Sequence, residues 1–453
     1  MKNLLILLFL FLYSAIYTQS LNISDEYLIA GGVSADWGND YPHIMLSADE
    51  NPMIIYGNNS DSSLYISKFS INPFIIQTTK INPNNVQVLF PDWDCTNSET
   101  PSDTVYVVYK TYGNTNGSIY LSRSFNGGVI IEDTVLVDSI MPGVTGSRFP
   151  SIAAKDNNIS ISYMTGISMS STQYVFANSV DHGDLFISDI EATVFSGNIV
   201  CDCCFSKPVI YGVNNDKRLL LYRNVDGVSN PSVRDIWISF SYDNGNTFGN
   251  TFDVDSSEWQ INACPSQAPD AVINDNTLFY VFSSGGSGLN KIYFYGLDLN
   301  SEQVVFDKQV ANPMFNEIHK NPRISGENGV FGVVWERIIS GDHDILFSYS
   351  LDGISFSNPI VINDNTSGVQ KQPDIFYYNG KFHIVFSDKS TQEIIYKNID
   401  ISNILNMNQI NFILNKKIHK TIDFSGKEIT PKVNVPFIKI YNDGTVEKSI
   451  VLD

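Results

Sequence analysis

Three observations predict an all-β fold: a β-propeller of four-stranded antiparallel sheets, followed by a small β-sandwich-like C-terminal domain. First, a short strand opening on proline recurs six times, as Tyr41-Pro42-His43-Ile44, Phe149-Pro150-Ser151-Ile152, Lys207-Pro208-Val209-Ile210, Ala268-Pro269-Asp270-Ala271, Asn321-Pro322-Arg323-Ile324 and Gln372-Pro373-Asp374-Ile375. Second, the recurrence has a period of roughly 50 residues, which marks stacked supersecondary units. Third, each proline is followed by a polar turn and a run ending in aromatic or β-branched residues, such as Ile159–Tyr163, Thr277–Phe282, Gly332–Trp335 and Phe382–Phe386. Alternating apolar and polar residues between Gly, Asn and Asp favour strands over helices.

In chain order, residues 1–18 read as a signal peptide: Lys2 at the start, an apolar core from Leu4 to Leu12, then small or polar residues around Ser14–Thr18. That core is too short for a membrane anchor, and no other stretch reaches transmembrane length. Residues 19–405 hold the propeller, with seven blades favoured and six as the alternative. One unit, near Val86–Val137, keeps the strands Val105–Tyr109 and Ile119–Ser122 but has a displaced proline, Pro91. The stretch Glu26–Ala30 supplies a closing strand. Proline at a strand's first residue removes a donor only at the ladder's edge.

Four units carry a Ser-x-Asp/Asn turn between their third and fourth strands. The best copy is Ser241-Tyr242-Asp243-Asn244-Gly245-Asn246-Thr247-Phe248; the others centre on Asn126, Asp181 and Asp352. The short acceptor takes local backbone N–H groups, Gly supplies positive φ and the closing aromatic packs inward. The turn resembles the Asp-box, or BNR repeat, of sialidases. In that family it lies away from the active centre, so its expected role here is structural.

The resemblance to sialidases implies three arginines for a substrate carboxylate, an Asp acid/base and a Tyr nucleophile activated by Glu. A neutral nucleophile suits an anionic anomeric centre, where a carboxylate would meet like-charge repulsion. Arg148-Phe149-Pro150-Ser151 is similar to the family's first-arginine stretch, Arg323 stands as a second arginine and Arg337 as a third, and Glu336 as the base for a tyrosine. The family places its first arginine in the first blade, where Asp40-Tyr41-Pro42 stands here. The following Gly-Arg and Asp pattern is missing, with only Asp156 and Asp181 downstream. The alternative role for Arg148 and Arg323 is in salt bridges at the propeller rim.

Two residues before the aligned prolines stand Asp40, Arg148, Ser206, Gln267, Lys320 and Lys371, with His43, Asp270, Arg323 and Asp374 just beyond. This predicts a mixed-charge mouth at one end of the propeller axis, suited to a polar or anionic ligand such as a sugar acid.

Cysteines fall at Cys95, Cys201, Cys203, Cys204 and Cys264. Cys203 and Cys264 each precede an aligned proline by five residues, which places them equivalently on neighbouring blades. In an exported protein a disulfide between blades follows, with Cys203 or Cys204 as partner of Cys264. The alternative is a soft-metal site for copper or zinc built from Cys201, Cys203, Cys204 and Cys264, joined by Cys95 if the second blade brings it round. No cofactor is otherwise implied.

Residues 406–453 contain Asp423-Phe424-Ser425-Gly426-Lys427-Glu428 and Tyr441-Asn442-Asp443-Gly444-Thr445-Val446-Glu447-Lys448. They resemble the C-terminal sorting domain of the Bacteroidetes type IX secretion system, which implies passage through that machinery and release or attachment at the cell surface. Asp and Glu outnumber Lys and Arg by 48 to 28, a net charge of −20, which argues against nucleic acid as partner. The expected function is recognition of an extracellular glycan or another surface ligand at the axial face. The alternatives are an exo-α-sialidase-type glycoside hydrolase and a cysteine-cluster metal-binding propeller.

Overall fold

Ile, Val and aromatic residues alternating with Ser and Thr fold the chain into sheets whose middle strands are buried on both faces. The computed structural model describes residues 21–33, 42–83, 87–95, 100–112, 118–138, 147–166, 172–193, 199–226, 232–405, 418–424, 426–432, 434–441 and 446–449. The expected signal peptide and Asp40 lie outside these residues.

Among the described residues of the unit Ile23–Ile399, seven sheets of four or five strands follow one another. Their inner strands are His43–Leu46, Gln87–Cys95, Arg148–Lys155, Lys207–Tyr211, Asp270–Asn274, Glu317–Glu327 and Gln370–Tyr378. Each sheet is an antiparallel meander running outward, as His43–Leu46, Pro52–Asn58, Ser63–Ile71 and Phe74–Lys80 do in the first. This repetition of small sheets about an axis is the propeller architecture. The seventh sheet draws on both ends of the unit: Tyr27–Gly31 pairs with Glu393–Asp400, Tyr27 opposite Tyr396. The sequence placed its closing strand at these residues.

Stacking of sheet on sheet explains why the polar half of the alternation is buried. In Asn158–Thr165, Ile159, Ile161 and Tyr163 are buried, and so are Ser160 and Ser162 between them. Ser162 Oγ meets Ser206 Oγ of the next sheet at 2.9 Å, and Arg218 Nε donates to Ser160 Oγ at 2.7 Å. Paired hydroxyls are tolerated where unpaired ones are not. Apolar wedges fill the rest; Phe279 of the fifth sheet meets Phe331 of the sixth with centroids 4.5 Å apart. Outermost strands such as Gln303–Gln309 are exposed.

The prolines sit differently from expectation. Four inner strands begin before their proline and carry a β-bulge across it, between Leu89 and Asp92, Arg148 and Ser151, Lys320 and Arg323, and Lys371 and Asp374. A bulge leaves a residue unpaired, so the missing proline donor is absorbed there rather than at the strand's start. In three of the four, the residue before proline is left-handed: Phe149, Asn321 and Gln372, at φ 51°, 51° and 53°. Pro91 occupies the same bulge, so its unit is in phase with the others.

The four Ser-x-Asp/Asn turns share one hydrogen-bond arrangement. Ser124, Ser179, Ser241 and Ser350 each donate Oγ to the acceptor two residues on, at 2.6–3.0 Å. That acceptor takes a backbone N–H further along, as Asp243 Oδ1 does from Thr247 at 2.9 Å. Phe248 closes its turn against Phe176, centroids 4.5 Å apart. In the C-terminal unit, Ile418–Ile422, Phe437–Tyr441 and Val446–Ser449 form one three-stranded antiparallel sheet. No helix among the described residues is long and apolar enough to cross a membrane.

Candidate functional site

Inner strands present the residue after each proline toward the axis. There they enclose a cavity of about 140 Å³, whose polar lining includes His43, Asp92, Lys207, Asp270, Arg323 and Asp374. The three aspartates repeat one device. Asp374 Oδ2 accepts Ile44 N–H at 2.9 Å, Asp92 Oδ2 accepts Ile152 N–H at 2.9 Å and Asp270 Oδ2 accepts Ile324 N–H at 3.0 Å. Each ties its inner strand to the next sheet, and Asp374 ties the seventh sheet to the first. Carboxylates suit this because an ionised acceptor makes a stronger bond to a backbone donor.

Basic groups complete the lining. His43 stands between two of the acids, Nδ1 3.5 Å from Asp374 Oδ2 and Nε2 3.8 Å from Asp92 Oδ1. Lys207 Nζ is 2.9 Å from Asp270 Oδ1. Burial pushes the Asp374 carboxyl up, but His43, the Arg323 charge and the Ile44 N–H outweigh it and hold the group below the ordinary carboxylate range. The cavity therefore offers carboxylate acceptors and basic side chains side by side. It can bind a polar group.

The expected axial ring divides. His43, Ser206, Asp270, Arg323 and Asp374 line the cavity; Arg148, Gln267, Lys320 and Lys371 do not. In the third, sixth and seventh sheets a bulge at the proline separates the two sets, with Arg148, Lys320 and Lys371 in register on the strand before it. Arg148 donates to Gly166 O at 3.0 Å and to Thr172 Oγ1 at 3.2 Å. Lys371 pairs across to Ser387. Arg148 and Arg323 are thus not brought together on one cavity. Arg337 donates to Asp344 Oδ2 at 2.6 Å.

Glu336 is fully buried and serves as a clamp between the sixth and seventh sheets. Its Oε1 accepts Asn321 Nδ2 at 2.7 Å and Gln372 N–H at 2.8 Å, while Lys320 Nζ and His343 Nδ1 lie 3.5 Å from Oε2. Burial raises its pKa, but these four partners outweigh burial and leave it lowered. The partners are an asparagine, a backbone amide, a lysine and a histidine, in place of the tyrosine that a sialidase base would activate.

Two charged lining residues were missed in the sequence. Asp92 follows Pro91 as Asp270 follows Pro269 and Asp374 follows Pro373, so a thrice-repeated Pro-Asp was the available signal. Lys207 was visible only as the residue before Pro208.

A second constellation lies between the fourth and fifth sheets. Strand Ile199–Val200 pairs with Lys217–Val225 and delivers Cys201, whose N–H donates to Arg223 O at 2.9 Å. A tight turn then returns Cys204 N–H to Cys201 O at 3.3 Å. Cys264 arrives from the segment after Gln260–Ile261, a strand paired with Ser232–Val233. The sulfurs of Cys201, Cys203, Cys204 and Cys264 all lie within 4.8 Å of one another. Cys203 and Cys264 are at disulfide contact, while Cys201 and Cys204 are buried thiols. The Cys204 thiol lowers Cys201 to about 7 against its burial, helped by Arg223 and Arg234, while burial pushes Cys204 well up. Cys95 ends the inner strand of the second sheet, and its side chain lies outside the described residues.

No family model matches the chain, and no curated protein matches it. Among solved structures it is similar to a PL25 ulvan lyase, at 12% identity and a TM-score of 0.49, covering 81% of this chain and 94% of that one. It is also similar to the GH93 α-L-arabinofuranosidase of Fusarium graminearum in complex with arabinobiose, at 11% identity, a TM-score of 0.44, and 83% and 97% coverage. A third is the Trypanosoma rangeli sialidase in complex with the inhibitor DANA, at 9% identity, a TM-score of 0.42, and 82% and 67% coverage. The likeness concerns the fold, and no residue role is transferred from it.

Proposed function

We propose that the chain is an exported propeller that binds a saccharide unit at its axial cavity without cleaving it. The observation that carries this reading is the cavity lining, where Lys207, Arg323 and His43 stand among Asp92, Asp270 and Asp374. A sugar carboxylate or a pair of hydroxyls accepts from a guanidinium in a bidentate manner, and other hydroxyls donate to the carboxylates. Recognition is favoured over hydrolysis because Glu336 is spent on a clamp and Arg148 lies off the cavity. Export rests on the apolar N-terminal run and on the C-terminal segment similar to a type IX sorting domain, with that secretion machinery as the second partner.

The test is calorimetric titration with sialyllactose and with uronic-acid oligosaccharides. Arg323→Ala should weaken binding at least about tenfold, roughly 1.4 kcal/mol, while Lys371→Ala, off the cavity, stays within about twofold. Equal losses in both variants, or no saccharide bound at all, would sink the reading. A fluorogenic sialoside should show no turnover; Arg323-dependent turnover would replace recognition by hydrolysis.

A further inference from the structure

We propose that Cys201, Cys203, Cys204 and Cys264 together form a four-thiolate site for one tetrahedral, thiophilic cation of the zinc type. This is independent of the saccharide reading and concerns a different part of the fold.

The first ground is geometry. Four sulfurs about 2.3 Å from a common centre stand about 3.8 Å apart along a tetrahedron's edges. Cys201 Sγ is 3.8 Å from Cys203 Sγ and 3.7 Å from Cys264 Sγ, and all four sulfurs fall within 4.8 Å of one another; Cys203 and Cys264, at disulfide contact, separate on reduction to take two corners. Local backbone structure makes the cage: a tight turn gathers three sulfurs from residues 201–204, and the fourth comes from the segment leading into the next sheet.

The second ground is charge. Four thiolates on a divalent cation carry a net charge of about −2, which is costly to bury without compensation. Two guanidinium groups stand beside the cage, Arg223 fully buried and Arg234 at 7% exposure. Arg234 Nη1 lies 3.4 Å from Cys201 Sγ. Arg223 also faces Asp235 and Asp255, so it is shared between the sulfur cage and a carboxyl pair. Backbone N–H groups of Cys203 and Gln267 are directed at the Cys201 and Cys204 sulfurs. N–H and guanidinium donors around thiolates are the outer-shell pattern that orients and stabilises metal ligands. A disulfide between Cys203 and Cys264 uses two sulfurs and leaves that donor set around the remaining two.

The third ground is access. Cys201 and Cys204 are buried, Cys203 is half-buried and Cys264 is exposed, so an ion enters from the Cys264 side and finds two ligands already fixed. With four protein ligands the site is closed in the sense of structural rather than catalytic zinc. It would fasten the fourth sheet to the approach of the fifth.

The experiment is titration of the reduced full chain with cobalt(II) under anaerobic conditions, followed by zinc. One cobalt per chain is expected, with thiolate-to-cobalt charge transfer in the near ultraviolet and tetrahedral ligand-field bands in the visible, both erased by zinc. Cys264→Ser, at the exposed ligand, should keep the β-type circular dichroism and lose about a quarter of the charge-transfer intensity, consistent with one of four thiolates. A second readout needs no variant: bound zinc should protect the four thiols from an alkylating reagent until a chelator is added. Absence of cobalt bands in the reduced chain overturns the site. So do bands unchanged in Cys264→Ser, or alkylation indifferent to zinc. A Cys203–Cys264 cross-link in peptide mapping, together with no metal uptake after reduction, would make the cluster a staple instead.

Discussion

Replacing Glu336 separates a clamp from a catalytic base. Glu336→Ala removes the acceptor of Asn321 Nδ2 and of Gln372 N–H and strips Lys320 and His343 of their neighbouring negative charge. Gln372 is itself buried and left-handed before Pro373, so its N–H has no ready route to water. Removing one partner of a buried, hydrogen-bonded ion pair costs about 3–5 kcal/mol. For the unit Ile23–Ile399, an unfolding entropy of about 2.1 cal/mol/K per residue gives roughly 0.8 kcal/mol/K. The melting temperature should therefore fall by about 4–6 °C. Glu336→Gln keeps an acceptor oxygen for Gln372 and should lose about half as much. The pH dependence has a definite sign. The folded pKa of Glu336 is lowered, so its contribution is whole above the unfolded value of about 4.3 and fades as pH falls through the folded one. Calorimetric melts of wild type and both variants at pH 7 and pH 3.5 test this, with the gap between wild type and Glu336→Gln narrowing at the lower pH. A Glu336→Ala protein that melts with wild type would refute the clamp.

Further expectations concern the sheet-to-sheet ties. Asp374→Ala should free the Ile44 amide, and hydrogen exchange at Ile44 should accelerate while exchange at Ile152, held by Asp92, is unchanged. Because Asp374 is held below the ordinary range, its stabilisation should be present above about pH 4 and lost in more acid solution, a loss that Asp374→Asn no longer shows. Gly245→Ala places a Cβ 2.5 Å from Asn178 Nδ2 at a backbone φ of 80°. It should destabilise by about 1–3 kcal/mol, read as a shifted denaturation midpoint. Ser241→Ala leaves the buried Gly245 N–H without its acceptor and should lose about 1–3 kcal/mol in the same assay.

Much of the architecture was legible because it repeats. The recurring prolines, the Ser-x-Asp turns and the closing strand are local signals multiplied along the chain, and local chemistry decides them. The axial site was legible in part. Asp270, Arg323, His43 and Asp374 follow directly on aligned prolines and were placed together. Arg148, Lys320 and Lys371 were misplaced, because a bulge between them and the cavity-lining residues breaks the strand's two-residue period, and nothing in a proline alone announces a bulge. Asp92 was hidden by treating Pro91 as out of phase, although Pro-Asp occurs at both Asp270 and Asp374. Glu336 looked like a base because it follows the apolar run ending at Trp335, whereas the strand continues through it, Val330–Ile339. Its partners Asn321 and Gln372 come from two different sheets, which one sequence does not bring together. The four cysteines could be paired or grouped on paper; only three-dimensional proximity sets Arg223 and Arg234 beside them.

The most direct measurement for saccharide recognition is a crystal structure of the chain soaked with an oligosaccharide that binds in solution. The expected result is one sugar unit in the axial cavity within hydrogen-bond distance of Arg323 and Lys207, its glycosidic bond intact. A sugar seated away from these residues, or a cleaved product held by Arg148, would contradict it.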